Sequence, residues 1–237
     1  MSSAFLQKIS LAPGDAIPAT GFLIGRIPGV NFTTDREAAK LRLQPLYRKM
    51  IEEIFPSSTP HTKIPLVSAD QVHGSDIAVV ASPFLETQQM DCVDGLMTTH
   101  SGVILGIAVA DCAPVWIIEK NGKAAALVHS GRRGTEAGIV PKAIARLEQE
   151  FQILPSELIV TIGPCIRPPC YEVDFAQTIR EQAAAAGVQI IQDEKICTAC
   201  HPDRYYSYRR EKGAIGNMLA VLLLENSKEN SHKEKKK

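Results

Sequence analysis

An apolar run interrupted by an acid and a thiol is the sequence feature that most constrains how this chain folds. Residues 102–118 read GVILGIAVADCAPVWII, with Asp111 and Cys112 at the centre and Pro114 just after them. Because burying an unpaired carboxylate costs several kcal/mol or shifts its pKa, Asp111 needs a partner. A metal ion or an arginine would supply one, which makes this run a candidate for part of a functional site.

Elsewhere along the chain, strand-like apolar runs alternate with helical patterns. Strands are predicted within 20–32, 64–82 (two short strands), 123–135 and 157–166, and helices within 33–55, from Ile139 to Phe151, 175–187 and 214–226. Thr33 or Thr34 is the predicted N-cap of the first helix, and residues 94–102 are predicted to be a turn-rich connection. The alternation predicts an α/β (α+β-like) fold with mixed β-sheets flanked by helices. Because no linker separates two domains, we expect a single compact domain over residues 1–225.

Charge and hydropathy exclude several classes of protein. The tail 226–237, NSKENSHKEKKK, carries five Lys and two Glu and so a charge of +3, which leaves −3 for the other 225 residues of a chain that is neutral overall. We predict a disordered tail and no nucleic-acid binding. No apolar run has the length of a membrane span, and MSSAFLQKIS lacks the pattern of a secretory signal. We therefore expect a cytoplasmic protein that binds no membrane and whose six cysteines are mostly reduced thiols or metal ligands.

Three potential soft-metal ligands lie where strand-like runs meet turns. They are His73 in DQVHGSD, Cys112 in VADCAPV and His129 in LVHSGRRGT. Two imidazoles and one thiolate suit Zn²⁺ and leave a fourth position open, and copper also accepts this set. The spacing matches no short metal-binding motif, so a structural role remains open for each: a small buried thiol and two hydrogen-bonded loop histidines.

The segment HSGRRGT is a second candidate for part of a functional site, because it could bind an anion. Ser130, Gly131, Gly134 and Thr135 predict a flexible turn before a helix, with backbone N–H groups and the guanidinium groups of residues 132 and 133 available to an anion. A solvated basic turn explains the same residues equally well.

The remaining cysteines give weaker evidence of a metal site. Cys197 and Cys200 in CTACH resemble half of a zinc knuckle, with His201 adjacent, but no second ligand pair follows. We therefore interpret them as ordinary thiols. Cys165 and Cys170, which flank IRPP, are interpreted as packing residues.

Several separated blocks give the chain a family resemblance between about Gly21 and Leu224. In order, they are GRIPGV, QVHGSDI, DGLMT, GVILGIAVADCAPV, VHSGRRGT, GPCIRPPCYEV and CTACHPDRYYSYRR. Together they resemble the laccase-domain (YfiH-like) family, labelled multicopper polyphenol oxidase and understood as purine nucleoside phosphorylases. The resemblance implies that His73, Cys112 and His129 bind a metal, usually zinc. It also implies a monomer that cleaves adenosine, inosine, guanosine or methylthioadenosine with phosphate, and deaminates adenosine.

The same resemblance suggests which residues face the substrate. Arg26 and Arg133 are expected to hold the phosphate, and Gln71 and Asp111 to support the metal or contact the base, whereas Asp94 is expected only to set a turn. Arg132 stands where the family usually has Trp.

Three alternative functions remain open: a copper-dependent polyphenol oxidase, a Cys–His hydrolase with Cys112 as nucleophile and His129 as base, and a non-enzymatic member of the fold.

Overall fold

Two mixed β-sheets form the centre of the molecule. In the computed structural model of the protein, the described residues are 4–12, 17–30, 32, 35–56, 63–81 and 86–225. Within them, the first sheet has the spatial order β1 (Leu6–Ile9), β2 (Ala19–Ile24), β12 (Met218–Leu224), β7 (Ile104–Val109), β3 (Leu66–Ala69) and β5 (Gln88–Met90). The second has the order β11 (Ile190–Asp193), β10 (Leu158–Ile162), β8 (Ala113–Glu119), β9 (Ala125–Ser130), β6 (Gly95–Thr98) and β4 (Ile77–Val80).

Helices cover the outer faces of both sheets. The helices are α1 (Arg36–Ile54), α2 (Arg132–Glu136), α3 (Ile139–Phe151), α4 (Phe175–Ala185) and α5 (Tyr208–Glu211), and short 3₁₀ turns span Pro155–Glu157 and Thr198–Cys200. The α1 helix packs on the first sheet, while α3 and α4 pack on the second. The predicted fold class, mixed sheets flanked by helices, is therefore confirmed. None of the helices in the described part of the chain combines the length and apolarity that a membrane crossing requires.

The apolar run 102–118 contributes one strand to each sheet. β7 lies in the first sheet and β8 in the second, so the turn around Asp111 joins the two layers. Side chains alternate along a strand, and all of β8 is buried. Val115 and Ile117 pack toward the helices, whereas Trp116 faces the first sheet and donates its indole N–H to the carbonyl of Val221 (3.1 Å). Burial of both faces explains why this segment is apolar almost throughout.

Two predictions of secondary structure are wrong. Residues 214–226 contain strand β12 rather than a helix, because its continuous apolar sequence MLAVLLL pairs with β2 on one side and β7 on the other. An apolar run of this length fits a buried strand as well as a buried helix, and only its pairing with neighbouring strands decides between the two. The predicted turn 94–102 contains strand β6. A Cβ on its Gly95 would lie 2.9 Å from side-chain carbons of Ile77 and Val128, so this glycine serves close packing.

The other element predictions agree with the structure within a few residues. The α1 helix contains Pro45, and α3 has Pro141 in its first turn, where a missing N–H costs little. Gly187, with φ +96°, follows the end of α4. The predicted N-caps Thr33 and Thr34 and the tail 226–237 lie outside the described residues.

Candidate metal centre

Three loop or strand-end segments bring His73, Cys112 and His129 together. His73 lies in the loop between β3 and β4, Cys112 directly precedes β8, and His129 lies near the end of β9. Pairing of β8 with β9 sets Pro114 opposite His129, which places Cys112 beside the β9 end. One ligand atom from each of the three residues lies within 4.8 Å of the others, and the two imidazole centroids are 4.9 Å apart. We call these residues the His–Cys–His cluster.

A buried carboxylate, Asp94, holds this cluster in place. His129 Nδ1 lies 2.8 Å from Asp94 Oδ1, so the other ring nitrogen of His129 is free of this contact. The backbone N–H groups of Val72, His73 and Gly74 also donate to the Asp94 carboxylate, at 3.1, 3.0 and 2.6 Å. Carboxylates that orient ligand imidazoles in this way are typical of metal sites.

The role of Asp94 was missed because DGL predicts a turn. The signal available in the sequence is that Asp94, like Asp111, borders an apolar run, and the structure shows that it is fully buried.

The electrostatics of the cluster favour a thiolate. Burial raises the pKa of Cys112, but hydrogen bonds and charges from His129 and His73 outweigh burial and bring the pKa to about 6. Burial lowers the pKa of His129, but Asp94 and Cys112 outweigh it and raise this pKa to about 9. The thiolate is the form of cysteine that binds metals. Space is limited around this sulfur, since a Cβ on Gly131 would lie only 2.3 Å from Cys112 Sγ.

The carboxylate of Asp111 accepts hydrogen bonds from the neighbouring loops rather than from an arginine side chain. Its Oδ1 accepts from the hydroxyl of Thr198 (2.7 Å), and its Oδ2 accepts from the backbone N–H of Arg209 (2.8 Å). Its carbonyl accepts from the N–H of Ile166 (2.8 Å), and its φ of +79° is rarely adopted by a residue other than glycine. Asp111 therefore fixes the turn that positions Cys112.

The cluster opens into a cleft of about 1240 Å³. Gln71 lines this cleft, but its amide pairs with the backbone N–H and carbonyl of Ala108 (2.8 and 2.7 Å). Cationic and aromatic side chains complete much of the lining: Lys40, Tyr47, Arg48, Lys63, Arg132, Tyr171, Phe175, Tyr208, Arg209 and Lys212.

The two arginines expected to hold phosphate do not line this cleft. Arg26 donates to Glu211 Oε1 (2.5 Å) and to the carbonyl of Tyr205 (3.1 Å), and its guanidinium lies 4.4 Å from the centre of the Tyr206 ring. Arg133 is exposed on α2. Their assignment to phosphate remains a prediction.

The segment HSGRRGT is more ordered than its sequence indicates. Ser130 ends β9, Gly131 caps the helix, and Arg132–Glu136 form α2. The buried hydroxyls of Ser130 and Thr135 lie 2.8 Å apart, and the Thr135 hydroxyl also donates to the carbonyl of Gly131 (2.8 Å). The predicted flexible turn is wrong, and the hydroxyl pair that replaces it fixes the backbone beside Cys112.

Comparison with known proteins identifies the family. The model of the family described as "Multi-copper polyphenol oxidoreductase laccase" matches residues 53–177 and 173–225. The chain belongs to this family. It is 32% identical over 195 residues to "Purine nucleoside phosphorylase YlmD" of Geobacillus stearothermophilus, covering 66% of this chain and 71% of that protein. It is 30% identical over 185 residues to a purine nucleoside phosphorylase of Corynebacterium glutamicum, covering 67% and 74%.

Solved structures show the same fold. The crystal structure of Bacillus licheniformis hypothetical protein YfiH superposes with a TM-score of 0.74 at 20% identity, covering 87% of this chain and 93% of that one. The family thus includes enzymes named for phosphorolysis of purine nucleosides, on a fold that this chain shares.

Proposed function

We propose that this protein is a zinc-dependent purine nucleoside phosphorylase that takes adenosine, inosine, guanosine or methylthioadenosine. The observation that carries the proposal is the convergence of His73, Cys112 and His129 at a cleft lined by cations and aromatic rings. The names of the relatives supply the reaction: phosphate attacks C1′ of the ribose, and the purine leaves with the electrons of the glycosidic bond.

The donor set fits a zinc ion. Asp94 holds His129 through Nδ1, and the lowered pKa of Cys112 favours its thiolate, so the cluster offers one thiolate and two imidazole rings. A zinc ion that binds there would displace the proton that the raised pKa of His129 keeps on its ring. Three protein ligands leave the fourth position of zinc open. A zinc ion bound there supplies Lewis-acid stabilisation of negative charge on the phosphate or on the leaving purine.

Arg132 and Arg209 are the cations that we assign to the phosphate. Arg132 follows Gly131, which contacts Cys112, and the backbone of Arg209 contacts Asp111, so both lie at the cluster end of the cleft. Both guanidinium groups approach the exposed carboxylate of Glu172, at 4.0 and 3.1 Å, and Arg132 also pairs with the exposed carboxylate of Glu136 at 2.9 Å. Exposed ion pairs of this kind contribute about 0–1 kcal/mol. A phosphate dianion can therefore displace Glu172 at little cost.

Aromatic rings beside these arginines suit the purine. The guanidinium of Arg209 lies 4.8 Å from the centre of the Tyr171 ring, which packs edge-on against Phe175 with centroids 6.1 Å apart. Both rings line the cleft. Purine bases stack favourably on aromatic and guanidinium planes. This arrangement would set the base beside the phosphate site, as attack on C1′ requires.

A second candidate is a Cys–His hydrolase. The lowered pKa of Cys112 and the raised pKa of His129 describe a thiolate–imidazolium pair, which is the resting state of such a nucleophile. Stoichiometric zinc that protects Cys112 from alkylation would count against it.

Two other activities can be tested on the same protein. A copper oxidase needs several coppers and many histidines, and the described residues bring only two imidazoles to this cluster. Deamination of adenosine, which the family resemblance implies, would release ammonia without phosphate.

The deciding experiment compares inosine cleavage with and without phosphate. We expect hypoxanthine and ribose 1-phosphate only when phosphate is present, with zinc bound to the wild-type protein. His73→Ala should lower the rate by a factor on the order of 100–1000, the usual effect of removing one preorganised electrostatic contribution. His100→Ala, a histidine that does not line the cleft, is the matched control. Equal cleavage without phosphate, or full activity of His73→Ala, would overturn the proposal.

A further inference from the structure

Three cysteines converge at a second place in the fold. The sulfurs of Cys170, Cys197 and Cys200 all lie within 4.8 Å of one another, and those of Cys170 and Cys200 are 3.4 Å apart. We call these residues the three-cysteine cluster. Cys197 and Cys200 form a Cys-x-x-Cys motif, in which Cys197 caps and Cys200 ends the 3₁₀ turn Thr198–Cys200, and Cys170 comes from the loop before α4. None of the three lines the cleft.

Backbone pairing and an ion pair bring these sulfurs together. The segments around Cys165 and Cys197 pair through two hydrogen bonds, from Cys165 N–H to the carbonyl of Ile196 (3.2 Å) and from Thr198 N–H to the carbonyl of Cys165 (3.1 Å). The loop that leads to Cys170 is tied down by a two-point ion pair between Arg167 and Asp193. No second ligand pair follows Cys197 and Cys200 in the sequence, but the fold brings Cys170 beside them. Their interpretation as ordinary thiols remains a prediction.

The spacing suits one metal ion. Three sulfurs at the zinc–sulfur bond length of about 2.3 Å around a tetrahedral ion are about 3.8 Å apart, within the range that this cluster shows. Cys170 and Cys197 are partly buried and Cys200 is exposed, so an ion can enter from solvent and keep a solvent ligand in its fourth position.

We propose that Cys170, Cys197 and Cys200 bind one zinc ion as a structural site separate from the His–Cys–His cluster. Thr198, which lies between two of these cysteines, donates its hydroxyl to Asp111, the residue before Cys112. The ion therefore fixes the loop that holds Asp111, and so helps to position the turn that carries Cys112. This proposal does not depend on the reaction that the cleft performs.

The test is zinc content of the full chain, purified under reducing conditions without chelator. Cys200→Ser should bind one zinc ion fewer per chain than its parent, both in the wild-type background and in Cys112→Ser. Cys92→Ser, which changes an exposed cysteine outside the cluster, should bind as much zinc as wild type. Because Cys200 is exposed, its replacement should leave the circular dichroism spectrum unchanged.

A cobalt titration isolates the second site. In the Cys112→Ser background, Co²⁺ should produce a thiolate-to-cobalt charge-transfer band, which the further change Cys200→Ser abolishes. Equal zinc content in Cys200→Ser and its parent would overturn the proposal. So would a mass lower by two hydrogen atoms in the non-reduced protein, with loss of that difference in Cys200→Ser, because it would show a disulfide between Cys170 and Cys200.

Discussion

The two ligand clusters of this protein are built in different ways. The His–Cys–His cluster lies at strand ends, where a fully buried carboxylate, Asp94, binds one ligand ring and the backbone that carries another. The three-cysteine cluster lies on loops, is partly exposed, and is held by backbone pairing and an ion pair at its margin. Only the first opens into the cleft. The difference indicates that the first cluster is preorganised for chemistry and the second for holding loops.

The largest effect should come from removing the charge of Asp94. Asp94→Asn removes the negative charge and replaces one of the two accepting carboxylate oxygens with an NH2 group, which cannot accept a hydrogen bond. Breaking a buried charge pair in this way costs about 3–5 kcal/mol of unfolding free energy. Loss of a carboxylate that orients a ligand imidazole typically lowers metal affinity about 10–100-fold. Chemical denaturation and zinc titration measure the two effects, with the exposed Asp91→Asn as control.

If Asp94→Asn bound zinc as tightly as wild type, the first cluster would need no supporting carboxylate. The contrast between the two clusters would then disappear.

The second-largest effect should come from crowding the Cys112 sulfur. Gly131→Ala places a Cβ about 2.3 Å from Sγ, so the sulfur must move, whereas the backbone of Gly131 (φ −89°) accepts alanine without strain. A displacement of about 1 Å at a reacting centre costs about 100-fold in rate. We expect such a loss of phosphorolysis with an unchanged melting temperature. A variant with normal activity would show that the cluster tolerates displacement of Cys112.

Arg209→Ala tests whether the cleft receives phosphate beside the first cluster. The side chain is lost while the backbone N–H that binds Asp111 remains. We expect the KM for phosphate to rise about 10-fold, which corresponds to about 1.4 kcal/mol and is close to the usual value of one hydrogen bond to a charged group. Lys49→Ala, an exposed cation outside the cleft, is the control. An unchanged KM would return the phosphate assignment to Arg26 and Arg133.

The smallest effect on activity should come from the link between the clusters, because Thr198 does not line the cleft. Thr198→Val removes the hydroxyl that donates to Asp111 and leaves a buried carboxylate oxygen without that partner. The expected loss of unfolding free energy is about 1–3 kcal/mol. Thr198→Ser keeps the hydroxyl and should restore most of it. Equal stability of the Val and Ser variants would mean that the two regions are independent.

The sequence predicts some of these features better than others. Local patterns predict the fold class, and they show that His73, Cys112 and His129 each end or interrupt an apolar run. The family resemblance, rather than the pattern, selects these three residues as metal ligands. Local patterns do not predict strand β12, because MLAVLLL is buried on both faces and has no periodicity that distinguishes a strand from a helix. Cys170 joins Cys197 only through tertiary pairing, which no spacing rule encodes. The same holds for Asp94, whose partners come from two other segments.

Zinc-edge X-ray absorption on the Cys200→Ser variant tests most directly whether three distant residues hold one ion. This variant removes the second cluster's contribution and leaves the first intact. The spectrum should show one sulfur at about 2.3 Å and two imidazole nitrogens at about 2.0–2.1 Å. A shell with two or more sulfurs, or one without imidazole scattering, would contradict the assignment of His73, Cys112 and His129.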